Sequence, residues 1–127
     1  MPADANGVGR LFGGRLMEWV DVVAGVVARR HSGRDVTTAA IERLDFVGPA
    51  FVNDTIVLRG CITYTGRTSM EVCVDTFVEA LGGARRHVNR AFLTLVALDG
   101  AGVPTPVPAL EPRDAEERAA FEAGAKR

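Results

Sequence analysis

The sequence predicts an α+β fold: one long apolar helix, an antiparallel sheet that curls around it, and a charged helix towards the C-terminal end. Three observations carry that expectation. The chain from Gly13 to Arg30 is a largely apolar run without proline, enough for about five helical turns. From Val36 to Leu98 it turns rich in β-branched residues, alternates with period two and is broken by short glycine turns, so the sheet is expected to be mainly antiparallel. Pro104, Pro106 and Pro108 then stop the sheet, and a charged segment starting near Asp114 reads as a final helix.

Taken in order, Gly13 and Gly14 open the first helix, and Arg15, Glu18, Gly25 and Arg29 follow at spacings of 3, 7 and 4. They draw a narrow polar stripe on an otherwise buried cylinder, which something must wrap. His31, just after the helix, reads as its C-terminal cap. The first strand, Val36 to Phe46, ends at Gly48 and Pro49. The second, Thr55 to Thr65, sets Ile56, Leu58, Gly60, Ile62 and Tyr64 on one face. Gly66 opens the turn to the third, Ser69 to Ala80, where Val72, Val74 and Val78 alternate with Glu71, Cys73 and Glu79. Gly82 and Gly83 lead to the fourth, Arg86 to Leu98. The tail from about residue 104, with its helix from Asp114 to Lys126, is expected on the outside of the sheet or against a neighbouring subunit.

Composition bounds the function. The 127 residues suit one domain, 1–127, with no repeat or linker. A hydrophobic share of 47%, a charged share of 24% and a net charge of -1 describe a soluble globular chain and give nucleic acid no purchase. The start, MPADANGVGR, lacks the basic and apolar segments of a leader, and Glu18 and Asp21 interrupt the most apolar stretch, which falls short of the roughly 20 residues of a membrane span. A cytoplasmic location without membrane contact is expected. Cys61 and Cys73 have no second pair and no histidine nearby, so they read as small buried hydrophobes and no metal site is expected.

The stretch from Asp4 to Gly14 and the helix after it carry the candidate chemistry. Two glycines at a helix start let a reactant approach free backbone N–H groups, and those groups with the helix dipole favour a developing negative charge. By itself such a pair is more often only a loop. An aspartate in an apolar run, Asp21, needs a partner or a purpose: Arg15 or an arginine on a neighbouring strand would make it structural, a reacting group would make it catalytic. Alone, Asn6 reads as a turn or capping residue. Asp21 lies roughly 12 Å along the axis from Gly13, so one helix cannot serve one carbonyl with both groups. Two subunits with antiparallel helices would bring the glycine end of one to the aspartate of the other, giving two equivalent sites.

Taken together, the stretch MPADANGVGRLFGGRLMEWVD resembles the start of the hot-dog-fold acyl-CoA thioesterases, in particular the cytosolic acyl-CoA hydrolase group with its YciA-like and brain-type members. The likeness continues through Val36-Thr37-Thr38-Ala39, Asp45-Phe46, Pro49, the segment from Gly66 to Val72, Ala91 to Asp99, and Val107-Pro108. It implies a hot-dog fold and hydrolysis of acyl-CoA to free acid and coenzyme A. Asp21 matches the catalytic carboxylate, Asn6 the asparagine that orients the carbonyl or water, and Gly13 the glycine whose N–H faces the thioester oxygen. Gly14 supports that turn. Thr37 matches a strand hydroxyl that positions the water, and Arg67, Thr68 and Ser69 a segment near coenzyme A, or else a plain polar turn. The resemblance further implies a dimer with shared sites, assembled as a trimer of dimers, and no cofactor, since coenzyme A belongs to the substrate. A departure is Asn53, where many relatives have glycine. Two other functions fit the fold. An acyl-CoA sensor would not need both Asn6 and Asp21, and enoyl-CoA hydration would need a histidine near the helix start, where neither His31 nor His87 lies.

Overall fold

The computed structural model describes residues 13–51 and 53–127, and before them only the backbone pairing of two short strands, β1 (Ala5–Asn6) and β2 (Arg10–Leu11). A 20-residue helix, α1 (Gly13–Ser32), follows. Leu16, Val20, Ala24 and Ala28 recur every fourth residue and form its buried stripe. The helix ends two residues later than expected because Gly33, at φ 67, donates its N–H to the Arg29 carbonyl at 2.8 Å, while Ser32 Oγ donates to the Ala28 carbonyl at 2.8 Å. His31 therefore does not cap the helix; its Nε2 meets the Pro108 carbonyl at 2.7 Å.

Four strands make the main sheet: β3 (Asp35–Phe46), β4 (Thr55–Thr65), β5 (Ser69–Glu79) and β6 (Arg85–Leu98), each antiparallel to its neighbours in the order β3-β6-β5-β4. Alternation sends Met70, Val72 and Val74 of β5 and Ala91, Leu93, Leu95 and Ala97 of β6 to one face, where they meet the α1 stripe in a single core. The wrapping is one-sided: Val22 and Val26 stay 65% and 39% exposed, so the expected buried cylinder is a helix lying on one sheet face.

Gly60 lets the helix sit this low. A Cβ there would stand 2.9 Å from the terminal methyls of both Val23 and Val27, closer than real contacts allow. Gly60→Ala is expected to lift α1 and cost about 1–3 kcal/mol in urea unfolding; an unchanged midpoint would refute that packing.

Strict alternation fails where the register shifts, as it does in each strand pair of the main sheet. Between Ile62 and Tyr64, β4 gains a residue against β5, so Tyr64 pairs with Glu71 and leaves the face occupied by Ile62. The opposite sheet face then receives a second helix, α2 (Ala115–Lys126), whose N-cap Asp114 accepts from Glu117 N–H at 2.7 Å. The Phe121 ring lies 4.8 Å from that of Tyr64. Glu71, on that outer face, is buried and accepts from Thr63 Oγ1 at 2.6 Å and from Arg127 Nε and Nη2 at 2.7 Å each. The Arg127 guanidinium also covers the Phe92 ring at 3.8 Å. The connection is tied along the sheet end by Thr105 N–H to the Ala97 carbonyl, Val107 N–H to the Arg67 carbonyl and Leu110 N–H to Thr65 Oγ1. The tail thus packs on the outside of its own sheet.

Cysteine is the remaining correction. Cys73 is buried as expected, but Cys61, opposite it on β4, is exposed on the outer face, where it lines an open pocket with Glu117 and Ala120 of α2.

Candidate active site

Asp21 sits on the uncovered flank of α1, exposed beside Val22, and its Oδ1 accepts a hydrogen bond from Thr38 Oγ1 at 2.7 Å. The bond joins the helix to β3, an edge strand of the sheet. The carboxylate is not the buried charge that its apolar neighbours suggested, and the hydroxyl supplies the partner expected from an arginine. Arg15 lies 3.8 Å from Glu18, one turn down its own helix.

Thr37, the expected water-positioning residue, faces away from α1. In β3 it pairs with Val96, whose neighbours Leu95 and Ala97 fill the core, so Thr37 and Val96 share the outer face. Thr38 pairs with Leu95 and turns towards the helix. A one-residue step reverses the face of every strand side chain, so of the two hydroxyls it is that of Thr38 that faces the helix.

Gly13 is the first residue of α1, so its N–H is one of the donors a helix leaves unpaired, and Gly14 behind it is exposed. Asn6 is placed by its backbone alone, paired with Arg10 across the β1-β2 ladder; its side chain lies outside the described residues. The segment of Arg67, Thr68 and Ser69 forms the β4-β5 turn. Gly66 N–H donates to the Ser69 carbonyl at 2.9 Å and Ala97 N–H to the Thr68 carbonyl at 3.0 Å, which fixes the backbone and leaves Arg67 exposed. Met70 is in register with Leu95, and Leu95 with Thr38. The turn therefore lies at the Thr38 end of the sheet, two strands or roughly 10 Å across.

The other titratable clusters do not converge on Asp21. On the outer face Asp75 accepts from Arg90 Nε at 2.7 Å and meets His87 Nε2 at 2.8 Å; burial raises its pKa, but these partners outweigh burial and hold the carboxyl below its ordinary value. Burial, with Asp75 nearby, pushes the Cys73 thiol up to about 12, which keeps it protonated and poorly nucleophilic at neutral pH. Among the described residues no group of three or more His, Cys, Asp or Glu could hold a metal ion, and no helix is long and apolar enough to cross a membrane.

Residues 8–82 match the model of the Thioesterase superfamily, and the chain is 41% identical over 117 residues to an uncharacterized acyl-CoA thioester hydrolase of Bacillus subtilis, covering 91% of this chain and 68% of the relative. The chain belongs to the thioesterase superfamily. Its α+β architecture is the hot-dog fold of that superfamily's solved acyl-CoA thioesterases. A hexameric acyl-CoA thioesterase superposes with a TM-score of 0.92 at 40% identity, over 99% of this chain and 81% of the other. The acyl-CoA hydrolase of Staphylococcus aureus, solved with butyryl coenzyme A, coenzyme A and coenzyme A disulfide, gives 0.91 at 31% identity, over 99% and 77%. That enzyme has also been solved with alanine replacing an asparagine, an aspartate and a threonine; the aspartate stands fifteen residues after the asparagine, the threonine seventeen after the aspartate. The chain spans about a third of the human cytosolic acyl coenzyme A thioester hydrolase, 33%, with 34% identity.

Proposed function

We propose that this thioesterase hydrolyses acyl-CoA at a site shared by two copies, with Asp21 and Thr38 of one facing the Gly13 end of α1 of the other. The observation that carries this reading is the Asp21–Thr38 hydrogen bond, 2.7 Å long, on an exposed flank. Asn6, Asp21 and Thr38 also repeat, in type and in both spacings, the three residues changed to alanine in the Staphylococcus aureus enzyme.

The surroundings of Asp21 suit a protein partner. Val22 and Val26 are uncovered beside it, a Cβ on Gly25 would meet nothing within 4 Å, and Ile41 on edge strand β3 is 49% exposed. An apolar stripe of this kind, with a small residue at its centre, fits a second α1 laid antiparallel. The two-fold also answers the separation of roughly 12 Å between Gly13 and Asp21 on one helix, because each carbonyl takes its donor from one copy and its base from the other.

In the reaction Asp21 takes a proton from water that attacks the thioester carbonyl, Asn6 orients the reactants and the Gly13 N–H receives the oxyanion; its collapse breaks the C–S bond, and the proton on Asp21 goes to the departing coenzyme A thiolate. Thr38 holds the carboxylate in one rotamer. The Arg67–Ser69 turn, at the same end of the sheet, takes the coenzyme A portion. Three such dimers make a hexamer, the number of copies in the hexameric neighbours, and the location is cytoplasmic. Thr38→Val is expected to lower kcat by about 10- to 100-fold, the worth of a hydrogen bond to a charged group, while Thr37→Val leaves it near wild type. Thiol release from acyl-CoA checks both, and equal effects would remove the assignment.

A further inference from the structure

Cys61 and Cys73 stand directly opposite each other on the antiparallel pair β4-β5. Val72 and Val74 fill the core and Gly60 lies under Val23 and Val27 of α1, so by alternation both cysteines turn to the outer sheet face. Both are free thiols, and Cys61 is among the groups that raise the Cys73 thiol. Directly opposed residues of such a pair have Cα atoms about 4.5 or 5.5 Å apart, inside the range of about 4.4–6.8 Å that disulfides span. Their Cβ atoms, about 5 Å apart, need to close by only about 1 Å. The strand that follows is β4, an edge of the main sheet with no strand beyond it among the described residues.

The two thiols are unequally placed. Cys73 is 6% exposed, and its Sγ donates to Asp75 Oδ2 at 3.9 Å. Cys61 is exposed and lines an open pocket of about 520 Å³ between β4 and α2. A small reagent therefore reaches Cys61 and not Cys73. Burial and the charge of Asp75 raise both thiols above their ordinary 9.0, so at neutral pH each rests protonated and reacts through a small thiolate fraction.

We propose that Cys61 and Cys73 are a cross-strand thiol pair oxidised by a small uncharged disulfide, Cys61 taking up the reagent and Cys73 displacing it. The proposal is independent of the hydrolysis at Asp21. The Cys61 thiolate attacks one sulfur of the reagent, the S–S bond of the reagent breaks, and one half leaves as a thiolate that takes up a proton. The Cys73 thiolate then attacks Cys61 Sγ and expels the other half in the same way. Two electrons pass from the cysteines to the reagent, and the two cysteine protons end on the two released thiols. The second step needs no encounter, because the sheet already holds Cys73 opposite Cys61, and that proximity offsets its small thiolate fraction.

The test incubates the native protein with excess hydroxyethyl disulfide at about pH 8.5, where more thiolate is present. Remaining thiols are then blocked, trypsin cuts at Arg67 between the two cysteines, and the peptides are read by mass spectrometry. The wild type should give the Cys61 peptide joined to the Cys73 peptide, and dithiothreitol should separate them. Cys73→Ala should stop at one reagent half on Cys61, and Cys61→Ala should be modified at least about tenfold more slowly, since only the buried thiol is left. Two free thiols in the wild type, or a mixed disulfide that persists on its Cys61 as it does in Cys73→Ala, overturns the pair. So does modification of Cys61→Ala as fast as that of Cys73→Ala. The wild-type result decides by itself if either variant fails to fold.

Discussion

Asp21→Ala is expected to lower kcat for acyl-CoA hydrolysis by about a hundred- to ten-thousandfold, the usual worth of a positioned general base, with KM almost unchanged. The substitution removes the acceptor of the Thr38 hydrogen bond but no core contact, since Asp21 is exposed in the protomer. The folded state should therefore survive, and a thermal melt of the variant within about 2 °C of wild type separates lost chemistry from lost structure. Thiol release at the wild-type rate would end the role given to this carboxylate.

The second large effect concerns stability. Glu71 is a buried charge whose partner, Arg127, comes from the far end of the chain, and the pair is bidentate, with both contacts at 2.7 Å. Burial raises the Glu71 pKa, but the hydrogen bonds from Arg127 and Thr63 and the charge of Arg127 outweigh it, so the carboxyl stays below its ordinary value of 4.5. Arg127→Ala leaves that charge without its cation and is expected to cost about 3 kcal/mol and to free α2 from the sheet. Urea unfolding and tryptic cleavage at the exposed Arg118 report the two consequences. Because the folded value is depressed, the contribution of this group is complete above the unfolded carboxylate range and is lost as pH falls through the folded value, so acid release of α2 belongs below pH 4.5. Glu71→Gln should flatten that acid limb. An Arg127→Ala protein with an unshifted urea midpoint would show that α2 is held by Tyr64 and Phe121 alone.

Much of the architecture was legible because periodicity carries it. The run from Gly13, the alternation of Val72 and Val74, and the glycine turns locate the helix and strands to within about two residues. The losses came where geometry is not local. Nothing in the residue types marks the extra residue at Thr63 that moves Tyr64 to the α2 side, since a bulge leaves no compositional trace. Which of the two adjacent threonines turns to the helix was not legible either, because Thr37 and Thr38 are identical in type and only strand parity against Leu95 separates them. Asp21 and Val22 lie in an apolar run that a lone protomer leaves exposed; apolar sequence marks a surface that leaves water without saying whether the same chain or another covers it. The partnership of Glu71 with Arg127, 56 residues apart, has no spacing rule behind it.

The shared site is tested most directly by mixing two inactive proteins. Asp21→Ala removes the base, and Gly13→Pro removes the N–H at the first helical position, where proline is tolerated, so both variants should fold and fail. In a mixed dimer one site carries both defects and the other carries neither. Co-refolded mixtures should thus recover about half the wild-type activity per mixed dimer. If native mass spectrometry shows mixed dimers and thiol release stays at the level of the parents, base and oxyanion donor belong to one protomer, and the account of catalysis across the two-fold is wrong.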